Sequence, residues 1–330
     1  MIAVEYLDDL GKASSPAARD LALAAGRGPF DRSEWWDLVS RHGGMTPLHA
    51  LAGDGAGAVL LPLTVADGRI SGLANWYTFR WRPLLGAGAS PALLAELARG
   101  LARHGWRITL TQVPDEDGSA SLLAAALREA GWRVRMEAHD CNHVLHLSGR
   151  SHAEYLAARP GPLRTTLRRR AGRLSCTVLD RFDEAAWGAY ESIYSESWKP
   201  QEGAPALLEA FARAEGAAGR LRLGIAEAGG EPVAAQMWTI EDGTAWIHKL
   251  AHRESARALS PGTVLSAEMF ARAIDTDRVE VIDFGTGDDP YKRDWMEEVR
   301  PRYRIDALWP AAPRSWPHLA RNLAARALLR

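Results

Sequence analysis

Residues 283–295, DFGTGDDPYKRDW, place several chemically active side chains directly after a short apolar run. Asp283 stands near the end of the predicted strand, where mixed α/β sheets place ligands. Gly285 and Gly287 permit a sharp turn and the close approach of a substrate. We therefore predict a substrate-binding turn here. The alternative is a solvated turn that leads into a helix.

Four further side chains of this turn can act in proton transfer or anion binding. Asp288 can orient a basic group or serve as a base, as can Asp289. Tyr291 can donate a proton, and Lys292 can hold an anion. Together with Asp283, they are candidate residues for a reaction that moves a proton.

The predicted strand TAWIHKLAH, residues 244–252, carries two more candidates. Alternation along a strand predicts Lys249 on one face with Ala245 and Ile247, and His248 on the other face. Lys249 can meet a phosphate or a carboxylate, or it can lie at the sheet margin with its ammonium group in water. His248 is a candidate general base, and the alternative is a packed histidine.

The sequence LSPGT, residues 259–263, follows that strand and begins a predicted helix. The first amides of a helix have no partner within it, so helix N-termini bind phosphates. Gly262 lets the backbone approach a ligand, Pro261 suits the first helical position, and Ser260 or Thr263 can hydrogen-bond an oxygen. The plainer interpretation is an ordinary Ser-Pro helix start.

Both halves of the 330-residue chain alternate helices with short strands. The pattern predicts an α+β (mixed α/β) fold with two similar domains, each a central mixed sheet flanked by helices. We expect the first domain over 1–150, a basic helical connection over 151–175, the second domain over 176–310 and a basic amphipathic helix over 311–330. This last helix either contacts an anionic membrane or docks on the protein.

The formal net charge is −1, which argues against general attraction to nucleic acid. The two cysteines, Cys141 and Cys176, show neither a disulfide framework nor metal-ligand spacing, so we expect no metal. The N-terminus carries acids where a secretory signal carries bases. We expect a cytoplasmic protein, with peripheral contact at the inner membrane as an alternative.

Three stretches resemble a known family: RLRLGIAEAGGEPVAAQMWTIEDGTAWIHKLAH, LSPGTVL and IDFGTGDDPYKRDW. They are similar to CelD-like acyltransferases of the GNAT superfamily, which are akin to the FemAB aminoacyl transferases with their two GNAT-like domains. The resemblance implies acyl-CoA or acetyl-CoA as co-substrate and an amine acceptor, which is a small molecule or a lipid. The resemblance also implies that the protein acts in envelope, exopolysaccharide or sphingolipid-type synthesis.

The resemblance also implies roles for residues. The thioester lies between the strands of Lys249 and Asp283, the pyrophosphate lies over Ser260–Thr263, and Tyr291 is the general acid. Substrate contacts are assigned to four residues: Gln236, Trp238, Gly285 and Asp288.

The loop departs from the family pattern of a basic or Gln residue followed by two glycine-like positions, because it has a single glycine. Two alternatives therefore stay open. One is a FemAB-like transferase that uses charged tRNA, for which the arginines of residues 164–173 could contact phosphates. The other is a non-catalytic GNAT-like binding module.

Overall fold

The computed structural model describes residues 2–23 and 28–321. The strands, in chain order, are β1 Ala3–Leu7, β2 Pro47–Gly53, β3 Ala58–Ala66, β4 Arg69–Gly72, β5 Leu84–Leu85, β6 Arg107–Val113, β7 Arg133–His146, β8 Ser175–Leu179, β9 Leu221–Ala228, β10 Glu231–Glu241, β11 Thr244–His252, β12 Val281–Thr286 and β13 Glu298–Leu308. The α-helices are α1 Pro16–Leu23, α2 Ser33–Gly43, α3 Pro91–Gly100, α4 Ser119–Glu129, α5 His152–Ala157, α6 Gly161–Arg170, α7 Glu184–Ser195, α8 Pro205–Ala217, α9 Pro261–Ala271 and α10 Lys292–Trp295.

The chain forms two compact units, each with a mixed sheet and helices. The first comprises Met1–Cys141 and Arg300–Arg330, and the second comprises Asn142–Val299. The domain boundaries therefore differ from those expected from the sequence. Residues Tyr303–Leu308 of β13 pair antiparallel with β6 and complete the first sheet, a long-range pairing that no local pattern reveals.

In the first unit the strand order is β1-β2-β3-β4-β6-β13, with β5 paired to β3. Its core forms where α3 and α4 pack on the sheet, and Leu93, Leu97 and Leu123 are each at most 1% exposed. The apolar stripe of α3 dictates this packing, since leucines three and four positions apart share one helix face.

In the second unit the order is β7-β12-β11-β10-β9-β8. Residues His146 to Asn142 of β7 pair with β12. β11 and β12 run parallel, and the other pairs are antiparallel. The Asp183 carboxylate accepts the amide of Ala186 and fixes the start of α7.

The basic segment that we expected as a connection belongs to the second unit. Leu163 and Leu167, one turn apart on α6, are buried in the core that α9 shares. The helix is therefore an integral part of this unit, and its apolar pair explains why.

Residues 316–321 are helical, and the rest of the predicted tail helix lies outside the described residues. Trp316 exposes 59% of its surface. Within the described residues, no helix combines the length and apolar character needed to cross a lipid bilayer.

Candidate active site

The two parallel strands of the second unit pair over only three residues. Thr244 faces Val281, and Trp246 faces Asp283, after which no further pairs form between β11 and β12. β11 nevertheless continues to His252 and β12 to Thr286. The strands therefore separate and open a fork, and the side of β11 beyond Trp246 can offer backbone hydrogen bonds to a ligand.

A β-bulge lies at the mouth of this fork. Met237 pairs with Lys249 and Trp238 with Ile247, so His248 is an extra residue in β11. The bulge places His248 and Lys249 on the same face, toward α7 and α8, where His248 meets Phe211 and Lys249 meets Tyr194. The expectation that Lys249 shares a face with Ala245 and Ile247 was wrong, because the extra residue shifts the alternation.

His248 and Lys249 have different surroundings on that face. The His248 Nε2 atom lies 2.8 Å from the Thr239 hydroxyl, and its ring packs against Phe211 at 5.1 Å between centroids. The Lys249 ammonium lies 2.7 Å from the Glu202 carboxylate. Burial lowers the pKa of Lys249, and the hydrogen bond from its ammonium to Glu202 partly offsets that effect.

The loop Ser260–Thr263 forms the start of α9, as expected. Ser260 has φ 53° and ψ 47°, the left-handed conformation that favours glycine. Pro261 is the first helical residue, and Pro261 and Gly262 are buried. Ser260 therefore occupies a glycine-like position by conformation, although the sequence contains only one glycine here.

Gln236 and Trp238 lie beneath this loop in the core. The Gln236 amide nitrogen donates to the Ser266 hydroxyl at 2.8 Å and to the Gly262 carbonyl at 3.3 Å. Trp238 donates its indole N–H to the Gln236 side-chain oxygen at 2.9 Å. Both are at most 1% exposed, so they support the loop and do not contact a substrate directly as the sequence-based assignment had it.

The Asp283 carboxylate, at the fork, accepts hydrogen bonds from other groups of the protein. One carboxylate oxygen accepts the Gly285 amide at 2.8 Å, and the other accepts the Asn142 side-chain amide at 2.8 Å. Gly285 and Gly287 have φ of 70° and 90°, which explains both glycines. These hydrogen bonds make Asp283 a residue that shapes the turn.

Two further candidate residues in the turn after β12, Asp288 and Lys292, have different surroundings. Asp288 forms an ion pair with Arg293 at 2.6 Å and lies 3.3 Å from the His143 Nε2 atom. The Lys292 ammonium donates to the carbonyls of Thr286 and Gly287 and is 5% exposed. Lys292 therefore holds the turn from inside, and Asp288 braces it from outside.

Tyr291 lies on the exposed side of this turn, with 36% of its surface exposed. Its ring meets Phe284 edge-on at 5.6 Å. Loss of hydration and the negative charge of Asp289 raise the pKa of Tyr291 to about 12. Its hydroxyl is therefore protonated at neutral pH and can donate a proton.

Sequence reasoning missed two partners of the site. Glu202 lies in the loop between α7 and α8, and Asn142 begins the second unit. Both meet their partners only through tertiary contacts, across sequence separations of 47 and 141 residues. Sequence reasoning also passed over Arg257, which lies three positions before Ser260. A basic residue so close to the start of α9 could have indicated a phosphate contact.

The part of the chain that matches a known family lies within the second unit, which contains the fork. Residues 157–293 match the acetyltransferase (GNAT) domain family model. This segment is similar to GNAT acetyltransferase domains.

Solved structures with the same fold extend the likeness to nearly the whole chain. FemX has a TM-score of 0.63 at 10% identity, covering 92% of this chain and 96% of its own. A tandem GNAT protein from the clavulanic acid biosynthesis pathway has a TM-score of 0.56 at 15% identity, with 94% and 100% covered. L-PGS from Bacillus licheniformis has 0.54 at 13%, with 91% and 97%. No curated protein matches the sequence significantly.

Proposed function

We propose that the second unit transfers an acyl group from acyl-CoA to the amine of a sugar or lipid acceptor. The fork between β11 and β12 carries this proposal, because it frees the β11 backbone beyond Trp246 next to the N-terminus of α9. A thioester in the fork would find backbone hydrogen-bond donors, and its phosphates would find the helix N-terminus.

Residues 260–263 fit the donor's pyrophosphate. The amides of Gly262 and Thr263 belong to the first turn of α9, where N–H groups have no helical acceptor. Gly262 packs against the end of β11, since a Cβ atom at this position would lie 3.4 Å from the His252 ring. Arg257, whose side chain is 79% exposed and lies 3.8 Å from the Glu254 carboxylate, adds a positive charge for a phosphate.

The reaction needs a nucleophilic amine and a proton for the leaving thiolate. The amine nitrogen attacks the thioester carbonyl, a C–N bond forms, and the C–S bond breaks. Tyr291 protonates the leaving sulfur, since its hydroxyl keeps its proton below pH 12. Asp289, the carboxylate close enough to raise that pKa, receives the proton that the amine loses.

The other candidates position this machinery. Asp283 holds the turn through Gly285 and Asn142. His248 fixes the bulge through Thr239, and this in turn places Lys249 on the α7–α8 face.

Envelope, exopolysaccharide or sphingolipid-type synthesis is the proposed setting. The exposed Trp316 ahead of the basic tail supports peripheral contact with an anionic membrane, where a lipid amine would be met. Liposome flotation with and without anionic lipid tests this contact. A variant truncated after Pro310 should lose it, and unchanged binding would contradict it.

Thermal unfolding against CoA, acetyl-CoA and palmitoyl-CoA, with native mass spectrometry, tests the donor. A ligand that binds only the folded state raises Tm, so we expect a rise with CoA thioesters. Ser260→Pro should abolish the rise, because proline cannot adopt positive φ. Absence of any CoA effect in the wild-type protein would overturn the proposal.

A second candidate, an aminoacyl-tRNA-dependent transferase, is favoured by one observation. The arginines of α6 and the following turn form no ion pair with an acid among residues 2–23 and 28–321: Arg164, Arg168, Arg169, Arg170 and Arg173. Uncompensated arginines attract phosphates. Three results together would favour this candidate. The affinity for charged tRNA should increase as the salt concentration falls, and it should decrease in a triple Gln variant at 164, 168 and 169. CoA should have no effect on the protein.

A further inference from the structure

The two units share one sheet topology. The strands of the first unit follow the order β1-β2-β3-β4-β6-β13, and those of the second follow the order β8-β9-β10-β11-β12-β7. In each order the fourth and fifth strands are parallel neighbours, and the other neighbours are antiparallel. A long helix, α3 or α9, lies in the chain between the two parallel strands. The first unit should therefore have its own fork, between β4 and β6.

The fork of the first unit has only one long strand. β4 and β6 pair over three residues, and the last pair joins Ser71 to Thr109. β6 continues to Val113, but β4 ends at Gly72, directly after that pair. In the second unit, by contrast, β11 continues well past its last pair with β12, to His252. The first unit therefore lacks the free strand whose backbone groups could bind a ligand in the fork.

Trp81 occupies the space beyond the end of β4. Its backbone N–H donates to the Gln112 carbonyl of β6 at 3.1 Å, and its indole N–H donates to the Pro62 carbonyl of β3 at 2.8 Å. Its ring lies against Gly72, where a Cβ atom would be 2.8 Å from the ring Cδ1 atom. Because β4 lies between β3 and β6 in the sheet, these contacts place Trp81 across the end of β4. The residue is 3% exposed and fills the fork of the first unit.

The segment that carries Trp81, residues 73–82, is anchored in the first unit. Thr78 and Phe79 are at most 8% exposed, and the Trp35 indole N–H donates to the Thr78 hydroxyl at 3.3 Å. Trp81 itself belongs to the core cluster on which α3 and α4 pack. The segment cannot leave the fork without exposing this apolar surface to water. Trp81 is therefore a fixed part of the fold and not a gate that a ligand displaces.

The start of α3 also differs from the start of α9. Both helices begin after a Ser-Pro pair, but Ala92 follows in α3 where Gly262 follows in α9. Ser90 has φ −94° and an extended backbone, whereas Ser260 is left-handed. The first unit thus lacks both the glycine and the left-handed residue of the loop that fits a pyrophosphate in the second unit.

We propose that Trp81 is a built-in occupant of the first unit's fork, so that the first unit binds no acyl donor and the chain has one donor site, in the second unit. The statement about the donor rests on the proposed acyl transfer, and the filled fork rests on the contacts of Trp81 alone. One topology thus occurs twice in the chain and serves donor binding once.

The number of donors bound by the full-length wild-type protein tests the proposal. Native mass spectrometry with acetyl-CoA and with palmitoyl-CoA should show one CoA thioester per chain at saturation. Hydrogen exchange should show that the bound donor protects residues 244–263 and leaves residues 69–113 unchanged. Two donors per chain, or protection of residues 69–113, would overturn the proposal.

Indole tests the filled fork independently of any donor. Trp81→Gly removes the buried side chain and leaves an apolar cavity, and such cavities bind small apolar ligands of matching size. Indole should therefore raise the Tm of Trp81→Gly and leave the Tm of the wild-type protein unchanged. Trp76→Gly is the matched control, because Trp76 lies in the same segment but is 66% exposed. A folded Trp81→Gly protein that indole does not stabilise would contradict the filled fork. If this variant does not fold, the donor count of the wild-type protein still decides the proposal.

Failure of this inference and failure of the proposed function are distinguishable. A second donor bound in the first unit would sink this inference and leave the acyltransferase proposal standing. A protein that binds no CoA thioester, but whose Trp81→Gly variant is stabilised by indole, would support the filled fork and overturn the proposed donor.

Discussion

Trp246 and Asp283 are the last residues that pair between the parallel strands β11 and β12. Beyond them the strands diverge, and the Asp283 carboxylate binds the Gly285 amide and the Asn142 side chain in place of a continued ladder. The residue that ends the pairing thus also builds the turn that carries Tyr291.

Asp283→Asn should destabilise the second unit by about 1–3 kcal/mol, because the new amide N–H group must face a donor, either Asn142 or Gly285. Urea unfolding measures the loss. Asp288→Asn on the same turn is the control and should change stability much less, since the Asp288–Arg293 pair is exposed. If Asp283→Asn instead abolished activity at unchanged stability, Asp283 would take part in the chemistry.

Ser260→Gly should stabilise the protein by about 1 kcal/mol, because a left-handed conformation costs a residue with a Cβ atom roughly that much. Ser260→Ala should be nearly neutral, since the serine side chain makes no capping hydrogen bond. Chemical unfolding of the three proteins compares them. A destabilised glycine variant would contradict the strain argument.

Tyr291→Phe should lower kcat by roughly 10²–10⁴ while leaving CoA binding and Tm near the wild-type values, as expected for loss of a general acid. Release of free thiol follows the rate. Tyr194→Phe, which keeps the ring that faces Lys249, is the control and should retain most activity. Unchanged kcat in the Tyr291 variant would remove this residue from the mechanism.

Stability should rise with pH between about 8 and 10.5, because burial lowers the pKa of Lys199, in the loop between α7 and α8, to about 8. In that window the folded state has lost the Lys199 proton that the unfolded chain still binds, so the unfolding free energy increases with pH. Lys249, whose pKa burial also lowers, contributes in the same direction.

Lys199→Met should therefore flatten the rise, which urea midpoints at pH 7.5 and 9.5 measure. Lys12→Met is the matched control and should keep the wild-type slope. The hydrogen bond to Asp8 raises the pKa of Lys12 above its ordinary value of 10.5, so its contribution to stability is constant between pH 7.5 and 9.5. A Lys199 variant with the wild-type slope would show that this ammonium is not desolvated.

Much of the second unit follows from its sequence. The glycine turns between β9, β10 and β11, and the Ser-Pro start of α9, are local signals that the structure reproduces. The sequence also predicted the mixed α/β fold. The three stretches that resemble GNAT-superfamily acyltransferases follow one another along the chain and indicate this fold.

Tertiary structure decided the rest. A period-two pattern cannot detect the extra residue His248. The predicted face of Lys249 was therefore wrong, and only the pairing of β11 with β10 gives the correct one. The roles of Asp283 and Gln236 depend on partners 141 and 30 residues away. The Glu202–Lys249 ion pair likewise joins the α7–α8 loop to β11, two segments that local propensity treats separately.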